Sequence, residues 1–115
     1  MLQFDKTATF YIVPQEKDET TFSKWIGRFA KFAAAGFTAS DALGGWLGED
    51  GEFVTEKIVR FTVWNPTKDA LEGLFNTLND LRVEENQETV SIEIDRQPFV
   101  CFDEADIEEL KSKVL

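Results

Sequence analysis

The stretch from Gly36 to Trp64 constrains the fold of this chain more than any other. It reads G-F-T-A-S-D-A-L-G-G-W-L-G-E-D-G-E-F-V-T-E-K-I-V-R-F-T-V-W. Two strand-like runs, Thr38 to Trp46 and about 53–64, flank Gly48-Glu49-Asp50-Gly51. An Asp-Gly pair adopts positive φ at little cost, so the stretch predicts a β-hairpin. Strand alternation sends Val59, Phe61 and Val63 to one side, and Ile58, Arg60, Thr62 and Trp64 to the other. Gly44-Gly45 inside the first run predicts a bulge or a close backbone approach.

The rest of the chain arranges itself around that hairpin. Residues 7–13 are β-branched and aromatic and end at Pro14, which predicts a strand. A helix is expected from Thr20 or Thr21, either able to cap it, to a stop at Gly36. Its buried face is Phe22, Trp25, Ile26, Phe29 and Ala33, with Lys24, Arg28 and Lys31 opposite. Asn65-Pro66-Thr67 breaks the third strand and Thr67 caps a second helix, whose buried face is Leu71, Leu74, Phe75, Leu78 and Leu81. Val83 to Glu88 read as a polar loop. Thr89 to Asp95 alternate cleanly, with Val90, Ile92 and Ile94 inward and Ser91, Glu93 and Asp95 outward. Gln97-Pro98 is expected to turn the chain into a short strand, Phe99 to Phe102. Asp103 then caps a terminal helix docked by Ile107, Leu110 and Val114.

The order β-α-β-β-α-β predicts an α+β, ferredoxin-like antiparallel sheet with helices on one face. A short C-terminal strand and helix follow. All of 1–115 is expected to form one domain, with a core at 7–95 and an extension at 96–115.

Chemistry is narrowed mostly by what is missing. The chain has no histidine and one cysteine, Cys101. A Cys-His or Ser-His pair is excluded within one subunit, as is a zinc site that needs imidazole. Cys101 lies in the apolar run Phe99-Val100-Cys101-Phe102 and reads as a core thiol. The net charge is −10, and residues 61–115 carry 13 acids against 5 bases. That balance excludes direct nucleic-acid binding over a broad face and suits a basic protein partner, a cation or plain solubility. No apolar run is long enough to cross a bilayer, and Met1 to Lys6 lack the features of a signal peptide. A cytoplasmic protein without membrane contact is expected.

Residues 9–94 resemble an uncharacterised bacterial family of domains of unknown function. The resemblance rests on Trp25, Gly36-Phe37-Thr38, Asp41-Ala42, Gly44-Gly45-Trp46, Gly51-Glu52-Phe53, Glu56 and Gln87-Glu88-Thr89-Val90. It implies a compact α/β domain and no activity. The strand order is also similar to that of CutA and PII-type trimers, although none of their binding motifs is present.

Several residues are candidates for function. Trp46 and Glu56, set across the hairpin, with Arg60 nearby, form a candidate ligand site. Glu56 would act as acid or base in an apolar pocket, or else pair with Lys57 or Arg60 as a rim carboxylate. Glu49, Asp50 and Glu52 crowd one turn and offer oxygen ligands to Ca²⁺, but without EF-hand spacing a solvated turn is expected and no cofactor is required. Lys24, Arg28 and Lys31 form a basic stripe, read as a solvated helix face. Thr9, Tyr11, Ile58 and Trp64 fall on the sheet face away from the helices, an apolar and aromatic contact surface.

These features predict first a non-enzymatic domain that self-associates through its open sheet face into a dimer or trimer. One alternative is an acidic inhibitor or nucleic-acid mimic. Another is a small-ligand or Ca²⁺ binding protein, or an enzyme, with a pocket near Trp46 and Glu56.

Overall fold

The computed structural model describes residues 1–115. Its strands are β1 (Thr7–Ile12), β2 (Thr38–Leu47), β3 (Phe53–Trp64), β4 (Val90–Ile94) and β5 (Gln97–Cys101). Its helices are α1 (Glu19–Ala30), α2 (Lys68–Glu84) and α3 (Glu104–Val114). The strands form one antiparallel sheet in the order β2-β3-β1-β4-β5. This is the expected α+β arrangement of ferredoxin-like type, extended by one edge strand.

Alternation decides which face is covered. Ala8, Phe10 and Ile12 of β1, Val59, Phe61 and Val63 of β3, and Val90, Ile92 and Ile94 of β4 are all buried under the helices. Against them pack Phe22, Trp25 and Phe29 of α1 and Leu71, Leu74, Phe75, Leu78 and Leu81 of α2. Phe29 lies between Phe10 and Phe61, with ring centroids 5.4 and 5.6 Å away. Truncating a buried ring of this kind to alanine costs about 3–5 kcal/mol. Cys101, Ile107 and Leu110 belong to the same core, so β5 and α3 are built into it. The terminal helix therefore leaves the opposite sheet face uncovered.

Some local expectations need correction. Asp18, not Thr20 or Thr21, caps α1: its carboxylate accepts from the Thr21 N–H at 2.8 Å and the Thr21 hydroxyl at 2.9 Å. An ionised cap facing the positive helix end is a strong option for that position. α1 stops at Ala30, six residues before Gly36, and residues 31–36 descend through turns bonded Ala33 N to Ala30 O and Gly36 N to Ala33 O. No bulge forms at Gly44-Gly45, which pair in register with Glu56 and Thr55. Helix α2 continues through Val83 and Glu84.

The turn expected at Gln97-Pro98 lies two residues earlier. Asp95 and Arg96 carry φ of 51° and 71° between the paired residues Ile94 and Gln97, a two-residue hairpin. Pro98 instead sits in β5, an edge strand, where a missing N–H costs no central ladder bond.

The β2–β3 hairpin outruns the helix layer. Leu43, Trp46, Leu47, Phe53 and Val54 are exposed along this arm. No helix is long and apolar enough to cross a membrane.

Candidate functional site on the open sheet face

The uncovered face carries the side chains that alternate with the core set. β1 supplies Thr9 and Tyr11, β4 Ser91 and Glu93, and β3 Glu56, Ile58, Arg60, Thr62 and Trp64. Strand pairing sets Tyr11 opposite Arg60 and Thr9 opposite Glu93. Tyr11 and Glu93 are therefore diagonal neighbours across adjacent strands, within reach of long side chains.

A hollow of about 360 Å³ opens at this place. Tyr11, Val13, Ile58, Pro98 and Val100 give it apolar walls, and Glu56 and Glu93 put carboxylates at its margin. Gly44, opposite Glu56 in the hairpin, adds only backbone bulk and leaves the side toward Ile58 open. A concave, largely apolar surface with a few polar groups is the usual form of a small-molecule site.

Electrostatics in the hollow favour a neutral phenol. Desolvation pushes the Tyr11 hydroxyl above its ordinary pKa, the Glu93 charge pushes it further, and Arg60 partly offsets both. The phenol thus stays protonated and available as a hydrogen-bond donor well into alkaline solution. Glu56 forms an ion pair with Lys17 of the β1–α1 loop at 3.2 Å, rather than with Lys57 or Arg60 as the sequence suggests. Lys57 pairs loosely with Asp41 at 3.8 Å.

The residues singled out from sequence separate into groups. Glu56 and Arg60 share the open face at alternate positions of β3. Trp46 shares it too, but pairs with Val54 rather than Glu56 and stands out on the arm beyond the hollow. Ile58 and Tyr11 line the hollow, whereas Trp64 stands at the far end of the strand. Thr9 is only 7% exposed and shares a hydroxyl hydrogen bond of 2.9 Å with Thr62, so it offers little contact area. At the hairpin tip the Asp50 carboxylate accepts the Glu52 N–H at 3.0 Å. Glu49, Asp50 and Glu52 do not converge into a cluster able to hold a metal ion.

In the basic stripe Lys24 and Lys31 are exposed as expected, whereas Arg28 is held by partners. Arg28 forms a bidentate pair with Glu84 at 2.8 Å, reaches Asp80 at 3.2 Å and lies 4.2 Å above the Trp25 ring. These contacts raise its pKa and hold the Glu84 carboxyl below its usual range. Cys101 is buried, and burial, followed by the Asp106 and Asp103 charges, pushes its thiol up, away from nucleophilic use.

Glu93 is the residue whose role sequence alone does not expose. Its position in an alternating strand gives the correct face. The neighbouring position of β1 and β4, which brings it to Tyr11, is a property of the folded sheet.

No family model matches the chain, and no curated protein matches it. Solved structures do. The fold is similar to that of a phage SAM lyase in complex with S-methyl-5'-thioadenosine, with a TM-score of 0.60 and 19% identity over 90% of this chain and 95% of that one. It is equally similar to a phage SAM lyase in the apo state, with a TM-score of 0.62 and 16% identity over 88% and 91% of the two chains. A Bacillus cereus protein related to NIF3 matches at a TM-score of 0.48 and 15% identity, over 82% of this chain and 25% of that one.

The likeness is one of fold. It nevertheless corrects the expectation of a non-enzymatic, self-associating domain. That expectation took an uncovered aromatic sheet face as a sign of assembly alone. The same architecture belongs to an enzyme in phage SAM lyase, so the bare face is no warrant for excluding chemistry. The bacterial family pattern drawn from Trp25 to Val90 gains no matching family model, and the α+β fold is the part that stands.

Proposed function

We propose that the hollow around Tyr11, Glu56, Ile58 and Glu93 binds a small adenosyl sulfonium of the SAM class or the corresponding thioether, and that the protein acts on this ligand as a lyase. The observation that carries the reading is the placement of two carboxylates and one protonated phenol around an apolar recess on an otherwise uncovered face. The likeness to phage SAM lyase supports the ligand class.

The chemistry of the ligand fits the groups. A sulfonium and an ammonium are cations, which Glu56 and Glu93 attract across a partly desolvated surface. Arg60 suits a ligand carboxylate through its planar fork of donors. Tyr11 offers a flat aromatic face to a heteroaromatic base, and Ile58 and Val100 add apolar area beside it. The ligand's own carboxylate attacks the arm carbon and closes a lactone as the carbon–sulfur bond breaks; the electron pair of that bond stays on sulfur, and the cation becomes a neutral thioether. Carboxylates beside the sulfonium therefore hold substrate more tightly than product, which aids release.

Titration calorimetry with SAM and with S-methyl-5'-thioadenosine tests binding, and chromatography of a SAM incubation tests for formation of the thioether. We expect Glu56→Gln and Glu93→Gln each to weaken SAM binding several-fold and to change thioether binding much less. A wild-type protein that binds neither compound at millimolar concentration overturns the proposal. So does SAM binding that is unchanged when Tyr11→Phe and Glu93→Gln are combined.

A further inference from the structure

A second recess lies at the other end of β3, where Thr62 is about 13 Å and Trp64 about 20 Å from Ile58 by the rise of an extended strand. It is lined by Phe4, Gly36, Phe37, Thr38, Thr62 and Trp64, with Asn65 at its edge, and has a volume of about 330 Å³. Its aromatic residues come from three separate parts of the chain: Phe4 from the N-terminal lead, Phe37 from the turn before β2, with its ring turned toward the covered face, and Trp64 from the end of β3. Their exposures are 46% for Phe4, 44% for Phe37 and 62% for Trp64.

Most of what fixes this recess is rigid. Phe37 stacks on the core ring Phe61 with centroids 4.7 Å apart and planes 21° apart, which anchors one wall to the interior. Thr38 and Thr62 are cross-strand partners on the open face and line the recess, with the Thr62 hydroxyl already sharing a hydrogen bond with Thr9. Asn65 has a φ of 48°, and its N–H donates to the Lys6 carbonyl at 2.7 Å. That bond ties the end of β3 to the N-terminal lead that carries Phe4. Gly36 has a φ of 127°, a conformation that side-chain-bearing residues rarely adopt.

No charged side chain lines the recess. This separates it from the hollow around Tyr11, whose margin carries Glu56 and Glu93. Aromatic walls of this kind take a flat ring by stacking, and hydroxyls with an amide supply donors and acceptors for the ring edge. An anionic group would gain nothing from the uncharged walls and would be repelled by a chain of net charge −10. The two recesses share no lining residue.

We infer that the recess between Phe4, Phe37 and Trp64 is a distinct binding site for an uncharged planar heteroaromatic ring of purine type, stacked against Trp64. The inference does not depend on the function proposed for the Tyr11 hollow, because it uses none of that hollow's residues.

Adenine is the probe. Fluorescence is measured in a Trp46→Phe background, where Trp25 is buried and Trp64 is the exposed indole. Adenine is expected to quench this signal saturably in the millimolar range or below, and AMP to bind at least several-fold more weakly at low salt. Trp64→Leu, or Phe4→Ala with Trp64 intact, should weaken adenine binding at least tenfold as read by ligand-observed NMR. Glu56→Gln, which alters only the other hollow, should leave it unchanged. The inference is overturned by an absence of adenine binding at ten millimolar, or by binding that persists unweakened in Trp64→Leu. A Trp64 signal that follows protein concentration and ignores adenine also overturns it, and would assign the aromatic cluster to contact between copies of the chain.

Discussion

Trp25 donates its indole N–H to a carboxylate oxygen of Glu85 at 3.2 Å, inside the layer where α1 meets the end of α2. The other oxygen of Glu85 accepts the backbone N–H of Gln15 at 2.9 Å. One buried carboxylate thus joins α1, the C-terminal end of α2 and the loop leaving β1. These elements set the position of Lys17, and through it the Glu56 side of the hollow.

Removing one partner leaves the other unsatisfied in the interior. Trp25→Phe keeps most of the ring volume but deletes the donor, so Glu85 loses a bond where water has little access. A cost of about 1–3 kcal/mol is expected. Glu85→Gln keeps an oxygen acceptor and should cost less, about 1 kcal/mol. Urea unfolding followed by far-ultraviolet circular dichroism reads both. A cost for Trp25→Phe well above this range, with Glu85→Gln close to the parent, would mean that ring packing, not the hydrogen bond, dominates.

Acid should act on α1 through Asp18. Hydrogen bonds from the Thr21 backbone and side chain hold its carboxyl below the ordinary aspartate pKa. A group depressed in the folded state contributes stability above its unfolded pKa, and that contribution disappears as pH falls through the folded value. The loss therefore begins near pH 4 and grows below it, starting from an unfolded value of about 3.9. Asparagine caps helices about as well as aspartate. Asp18→Asn is expected to match the parent at neutral pH and to show a shallower decline in thermal midpoint between about pH 4 and pH 2. Parallel acid profiles would place the titration elsewhere.

Tyr11 gives the hollow a direct spectroscopic readout, because it is the only tyrosine in the chain. Its phenolate absorbance should titrate with a midpoint above the ordinary value of about 10. Desolvation is the leading cause, followed by Glu93, with Arg60 acting in the opposite sense. Glu93→Gln should bring the midpoint down, and Arg60→Gln should push it up. Since the folded protein holds this proton more tightly than the unfolded chain, the linked stability is full below about pH 10 and declines as pH rises through the folded midpoint. A midpoint unmoved by either substitution would separate Tyr11 from both charges and remove the electrostatic basis of the site.

Legibility in the sequence follows the range of each interaction. The faces of α2 and β4 are set by apolar spacing within a few residues, and Leu71 to Leu81 and Val90 to Ile94 are buried as that spacing predicts. The hairpin is local as well, and Gly51 takes a φ of 83° in its turn. Caps are harder, because Asp18, Thr20 and Thr21 are all competent and only the helix register chooses among them. Contacts between distant segments leave no local mark. Nothing near Glu56 points to Lys17, and nothing near Glu93 points to Tyr11. Gly73 is a further case: a methyl group added there would overlap the ring of Phe32, so this mid-helix glycine makes room for a segment about forty residues earlier.

The turn between β4 and β5 offers a stabilising substitution. Asp95 and Arg96 occupy left-handed backbone at φ 51° and 71°. Asp95 has a compensating contact, since its carboxylate accepts the Thr7 N–H at 2.9 Å and ties the turn to β1. Arg96 is exposed and makes no side-chain bond that would offset its conformation. A side-chain-bearing residue in the left-handed region costs roughly 1–2 kcal/mol. Glycine relieves that strain, although its freer unfolded chain returns roughly 0.5–1 kcal/mol. The relief is the larger quantity, so Arg96→Gly is expected to raise stability by about 0.5–1 kcal/mol. Asp95→Asn keeps an oxygen for Thr7 and tolerates the same backbone, so combining it with Arg96→Gly should do at least as well as Arg96→Gly alone. Arg96→Val makes the opposite prediction, because a β-branched side chain fits positive φ worst. Chemical denaturation of the three variants decides the matter, and a stability order with the valine variant above the glycine variant would contradict the left-handed assignment of this turn.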